Sequence, residues 1–67
     1  MTKNDYREFF ANVQPFIKIN YFLKQLKINS ANYYMFMKGD DWNRFLSIDK
    51  LEALYKAINL EIEAKVV

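Results

Sequence analysis

The sequence predicts an all-α protein: a compact four-helix bundle, with five helices as the alternative count. Apolar residues recur at spacings of three and four along most of the chain, which is the period of a helix face turned towards a core. Only one glycine and one proline are present, too few for the tight turns of an all-β fold. The punctuating residues Pro15, Gly39 and Ser47 fall between periodic segments rather than inside them. With 67 residues the chain makes one domain, 1–67. Six Phe, five Tyr and one Trp give this short chain large apolar area per residue, unlike a disordered tail.

The first helix is expected over residues 4–13. Tyr6, Phe9, Phe10 and Val13 form one stripe. Thr2 with Asp5 offers a capping box, and Asn4 is a competing cap. Pro15 stops this helix, because it lacks an amide proton and restricts Gln14 before it. A second helix is expected over residues 18–27, with Ile19, Phe22, Leu23 and Leu26 on one face. Asn29 or Ser30 then caps a third helix that runs to Lys38, with Tyr33, Phe36 and Met37 inward and Gly39 as a left-handed terminal residue. Together these segments make a helix-turn-helix at about 18–39.

Residues 40–46 read as a polar-aromatic connection in which Trp42 is expected to plug the core from beneath the loop, with an anchor for a partner as the alternative. A fourth helix starts at Ser47 with the stripe Leu51, Leu54, Tyr55, Ile58 and Ile62. Residues 60–67 also alternate apolar and polar, so a short strand competes there. Glu61 and Lys65, four apart, favour helix.

Charge and composition remove several function classes. There is no Cys and no His, so disulfides, thiolate metal sites and the commonest general base are absent. Asp40 and Asp41 are adjacent, so their side chains diverge, and no base or metal ligand accompanies them. No enzyme activity, catalytic residue, metal or cofactor is expected. The apolar runs are far shorter than the ~20 residues of a membrane span, and the start of the chain lacks a signal pattern; a cytoplasmic protein is expected. Net charge is +2, unevenly spread. Residues 9–39 carry Lys18, Lys24, Lys27 and Lys38 and no acid, whereas residues 40–67 carry six acids against four bases.

Short helix, break, second short helix and terminal glycine resemble the lambda-repressor-like (Xre/Cro-type) helix-turn-helix family. That family reads L-x-x-x-L-G-I-S-x-x-x-V-S-x-x-L-x-G, followed by a loop and S-x-x-x-L-x-x-I-x-x-A-L. The alignment runs without a gap over residues 22–39 and covers residues 18–58 in all. Phe22, Leu26, Ile28, Tyr33 and Phe36 match its buried positions, Asn29 its capping serine and Gly39 its glycine. Residues 47–58 look like the following helix. Leu23 stands where the family prefers alanine, Lys27 where it prefers glycine, and Tyr33 and Phe36 are bulkier than its aliphatics. The chain is also similar to small helix-turn-helix proteins of bacterial mobile elements.

The resemblance implies a transcriptional regulator of a phage or mobile element that inserts its third helix in the major groove of duplex DNA. The outward side of that helix presents Ala31, Tyr34, Met35 and Lys38, with Asn32 on a flank and Asn29 and Ser30 at its start. Asn29 and Asn32 are its only amides able to read a base edge, and Ala31 and Met35 suit a thymine methyl. Tyr34, Lys18, Lys24, Lys27, Lys38 and Arg44 are candidates for the phosphates. Useful affinity implies a homodimer on two half-sites. The helix has no arginine, and exposed Tyr34 and Met35 suit protein surfaces. The alternative is therefore a scaffold for protein–protein interaction, such as a mobile-element inhibitor of a host defence system (anti-CRISPR-like).

Overall fold

The first turn shows how local chemistry starts the fold. Asp5 donates its amide proton to the Thr2 hydroxyl at 3.1 Å, while Thr2 donates its own to the Asp5 carboxylate at 2.8 Å. This reciprocal box starts α1 (Lys3–Val13) and settles the competition with Asn4 in favour of Thr2. Pro15 sits in a single 3-10 turn, Gln14–Phe16, at the end of α1. Then follow α2 (Ile19–Gln25), α3 (Ser30–Met37) and α4 (Ile48–Val66). The computed structural model describes residues 1–42 and 44–66, the last two as backbone only.

The described residues form an all-α bundle of four α-helices without strands. A fifth helix does not form; the 3-10 turn is all that lies between α1 and α2. The tail is helical through Val66 rather than a strand. The expected Glu61–Lys65 pairing falls on a side chain outside the described ones. The second helix is shorter than the expected 18–27, because Leu26 and Lys27 already form the turn.

That turn is a Schellman motif. Ile28 donates to the Leu23 carbonyl at 2.8 Å and Lys27 to that of Lys24 at 3.2 Å. Lys27 is left-handed, φ 57°, the one non-glycine residue with positive φ among those described. The end of α3 repeats the pattern: Asp40 donates to Met35 at 3.1 Å and Gly39 to Phe36 at 3.0 Å, with Gly39 at φ 115°. In the first motif Leu23 and Ile28 are both buried, supplying the apolar contact that accompanies such ends.

α1 lies against α3 and α4, and α2 against α4. The core between them takes Tyr6 and Phe10 from α1, Ile19, Phe22 and Leu23 from α2, and Tyr33 and Phe36 from α3. α4 contributes Leu51, Leu54 and Ile58, with Tyr55 and Ile62 packed at the margin. Phe9, Val13, Leu26 and Met37, expected inward, are likewise partly buried against this core. Tyr33 is enclosed: its ring meets Phe10 at 6.0 Å between centroids, and its hydroxyl donates to Gln14 Oε1 at 2.9 Å. Burial pushes the Tyr33 hydroxyl well above its ordinary pKa, so it remains a donor throughout the working range.

Trp42 does not plug the core. It is 95% exposed, and Leu46 fills the space instead. The loop is pinned on both sides of Trp42, at Asp41 by Arg7 and Lys3 and at Leu46 by the core. Asp40 Oδ1 also accepts the Trp42 amide proton at 3.2 Å, a side-chain-closed turn that leaves the indole outside.

Two outcomes test these helix ends. Lys27→Gly removes the left-handed penalty of an L side chain for a net gain of about 0.5–1 kcal/mol, a rise of roughly 2–8 °C in Tm, whereas Gly39→Ala lowers Tm. No atom lies within 4 Å of a Cβ at Gly39, so that loss comes from the backbone alone. The amide and hydroxyl of Thr2 hold the Asp5 carboxyl below its ordinary range. The cap therefore contributes fully above the unfolded Asp pKa and is lost as pH falls through the lowered one. Acid titration of helical circular dichroism should show that this loss disappears in Asp5→Asn and is only reduced in Thr2→Ala, which keeps the backbone amide.

Candidate nucleic-acid interface

α3 is presented by its two ends. Asn29 is extended, φ −66° and ψ 126°, and its Oδ1 accepts the Ala31 amide proton at 2.8 Å. The cap uses the amide oxygen and leaves the NH2 as a donor. Because α3 starts there, its phase turns Tyr33 and Phe36 into the core. Ser30, Ala31, Tyr34, Met35 and Lys38 are exposed, as the spacing predicts, and Asn32 is half-buried on the flank. Tyr34 and Met35 are 39% and 47% exposed. The Tyr34 hydroxyl reaches back to Asn20 Oδ1 on α2 at 3.5 Å, a long contact.

The other end of α3 is held by Arg7 of α1. Its Nε donates to the Phe36 carbonyl at 2.9 Å, and its guanidinium lies over the Phe36 ring at 4.5 Å. The remaining nitrogens meet Asn4 Oδ1 and Asp41. A fixed positive charge at a helix C-terminus complements the macrodipole, and the planar fork serves a carbonyl and a carboxylate together. In the sequence Arg7 lies in a charge-balanced stretch with Lys3, Asp5 and Glu8. Its partners Phe36 and Asp41 lie 29 and 34 residues on, beyond any local pattern.

The expected phosphate ligands Lys18, Lys24, Lys27 and Arg44 are all exposed. They are not all gathered. Lys27 joins Asn29 and Asn32 along an open groove of about 430 Å³, whose far side is Phe45 and Lys50. Lys18, at the opposite end of α2, lines a separate groove with Phe16, Tyr21 and Glu61. Lys38 closes α3 about 12 Å from its start, from the rise of eight residues.

Phe45 and Lys50 are additions that the sequence did not single out. Lys50 Nζ donates to the Phe45 carbonyl at 3.0 Å, and the Arg44 guanidinium lies over the Phe45 ring at 4.9 Å. Phe45 is 55% exposed. The available signal was an Arg-Phe pair immediately before a buried leucine; nothing in the sequence placed it beside Asn29.

Among the described residues no group of three or more acidic, His or Cys side chains could hold a metal ion, and no helix is long and apolar enough to cross a membrane. Compared with known proteins, the chain matches no family model, no curated protein and no solved structure.

Replacing Arg7 tests how α3 is held. Arg7→Met should cost about 1.5–3 kcal/mol, the range of a hydrogen bond made by a charged group. The pair with half-exposed Asp41 adds little, because solvent screens it. Arg7→Lys should recover only part of the loss, since one ammonium cannot reproduce the fork. Denaturant midpoints measured on both variants decide this.

Proposed function

We propose that the protein is a small helix-turn-helix protein that binds duplex DNA as a homodimer and regulates transcription for a phage or mobile element. One observation carries the reading: within the acid-free segment from Phe9 to Gly39, α2 and α3 are joined by a tight left-handed turn, and the segment's four lysines are exposed, Lys27 in that turn and Lys38 at the end of α3. Lys27 adopts the left-handed geometry at the position where the resembled family has glycine. Asn29 caps α3 where that family has serine.

In this reading the start of α3 enters the major groove. Asn29 and Asn32 offer amides to base edges, and Ser30, Ala31 and Met35 pack beside them. Lys18, Lys24, Lys27, Lys38 and Arg44 meet phosphates, with Tyr34 as an uncharged donor. Two copies read half-sites about 34 Å apart, one helical turn.

The second reading, a protein-binding scaffold, is favoured by exposed aromatic side chains. Trp42 and Phe16 are 95% and 82% exposed, and large aromatic side chains are enriched at protein interfaces. A mobile-element inhibitor of a host defence protein is its most concrete form.

Fluorescence anisotropy against DNA from the gene's own promoter separates the two. With about four phosphates per protomer, log affinity should fall with log salt at a slope of roughly −3 to −4 per protomer, or about −7 for the dimer. Lys38→Gln should reduce that slope by about one for every sequence, while Asn32→Ala should change which sequence is preferred. Absence of duplex binding at low salt, together with capture of a stable protein partner, would transfer the function to the second reading.

A further inference from the structure

We infer that the groove between the start of α3 and the α3–α4 loop accepts one unstacked nucleotide, its base laid on Phe45 and its phosphates on Lys27 and Lys50. The inference rests on the nucleic-acid reading and goes beyond it, since a helix in the major groove does not require a base to leave its stack.

The groove combines three chemistries that unpaired nucleotides need. Its walls are Lys27 and Lys50 for phosphate, Asn29 and Asn32 for base edges, and Phe45 for the base plane. Among the described residues no acidic side chain lines it. Its volume of about 430 Å³ lies within the range of small-ligand sites, roughly 300–1,000 Å³. Asn29 gives its oxygen to the α3 cap, so the NH2 is its donor towards a base carbonyl or ring nitrogen.

Phe45 is placed for stacking rather than for packing. It keeps more than half its surface in water, while its neighbour Leu46 takes the core position. The Arg44 guanidinium over the Phe45 ring adds positive charge to the stacking platform. The Lys50 bond to the Phe45 carbonyl ties that residue's backbone to the first turn of α4.

The experiment compares a matched duplex with the same duplex carrying one unpaired thymine, using the full chain at low salt. The wild type should bind the unpaired-base duplex roughly 5- to 150-fold more tightly, the range for one base stacked on an aromatic ring. Phe45→Tyr should retain the preference and Phe45→Leu should lose it, because leucine keeps the apolar bulk without the ring. Equal affinity of the wild type for both duplexes overturns the inference and leaves the nucleic-acid reading standing. A preference that survives in Phe45→Leu overturns it as well. Binding to neither duplex removes both.

Discussion

The left-handed residue between α2 and α3 is the constraint on which the exposed face depends. A chain leaving a helix at Leu26 has one inexpensive way to reverse, and it passes through positive φ at the next position. Lys27 accepts that geometry although it is not glycine. The reversal drops Ile28 beside Leu23 in the core and leaves Asn29 extended, ready to cap α3. One dihedral thereby sets where α3 begins, and its beginning sets which of its residues face water.

The far end of α3 is governed by a different kind of force. Gly39 ends the helix locally, but Arg7 fixes its end against α1 through a carbonyl, a ring and a carboxylate. The same arginine pins Asp41, so the loop leaving α3 and the helix itself are held as one piece. With Leu46 anchored in the core, the intervening aromatics turn outward. The exposure of Trp42 is thus a consequence of two fixed points in a short connection, rather than of any preference of indole for water.

These anchors bear on chemistry because they bring charge and aromatic surface to the same place. Lys27 comes from the turn, Asn29 and Asn32 from α3, Phe45 from the loop and Lys50 from α4. A helix with two amides and no arginine has limited means of reading bases by itself. The neighbouring ring and cations widen what such a face can recognise.

Much of the fold was legible because its determinants are local. The Thr2–Asp5 box, the Pro15 break, the Asn29 cap and the Gly39 end all depend on residues within a few positions of one another, and the stripe Leu51, Leu54, Ile58 follows from helical period alone. The outward set on α3 was legible for the same reason. Trp42 was misread because large apolar side chains usually go inside, and only the pinning of Asp41 and Leu46 decided otherwise. The sequence by itself determined how many helices form, where they lie to within a residue or two, and which faces they bury, since hydrogen-bond capping and period act over one or two turns. Only the tertiary structure decided that Arg7 reaches Phe36 and Asp41, and that Phe45 and Lys50 flank Lys27, Asn29 and Asn32. Those meetings depend on how separate helices pack around Tyr33 and Phe10, and no short-range pattern encodes them.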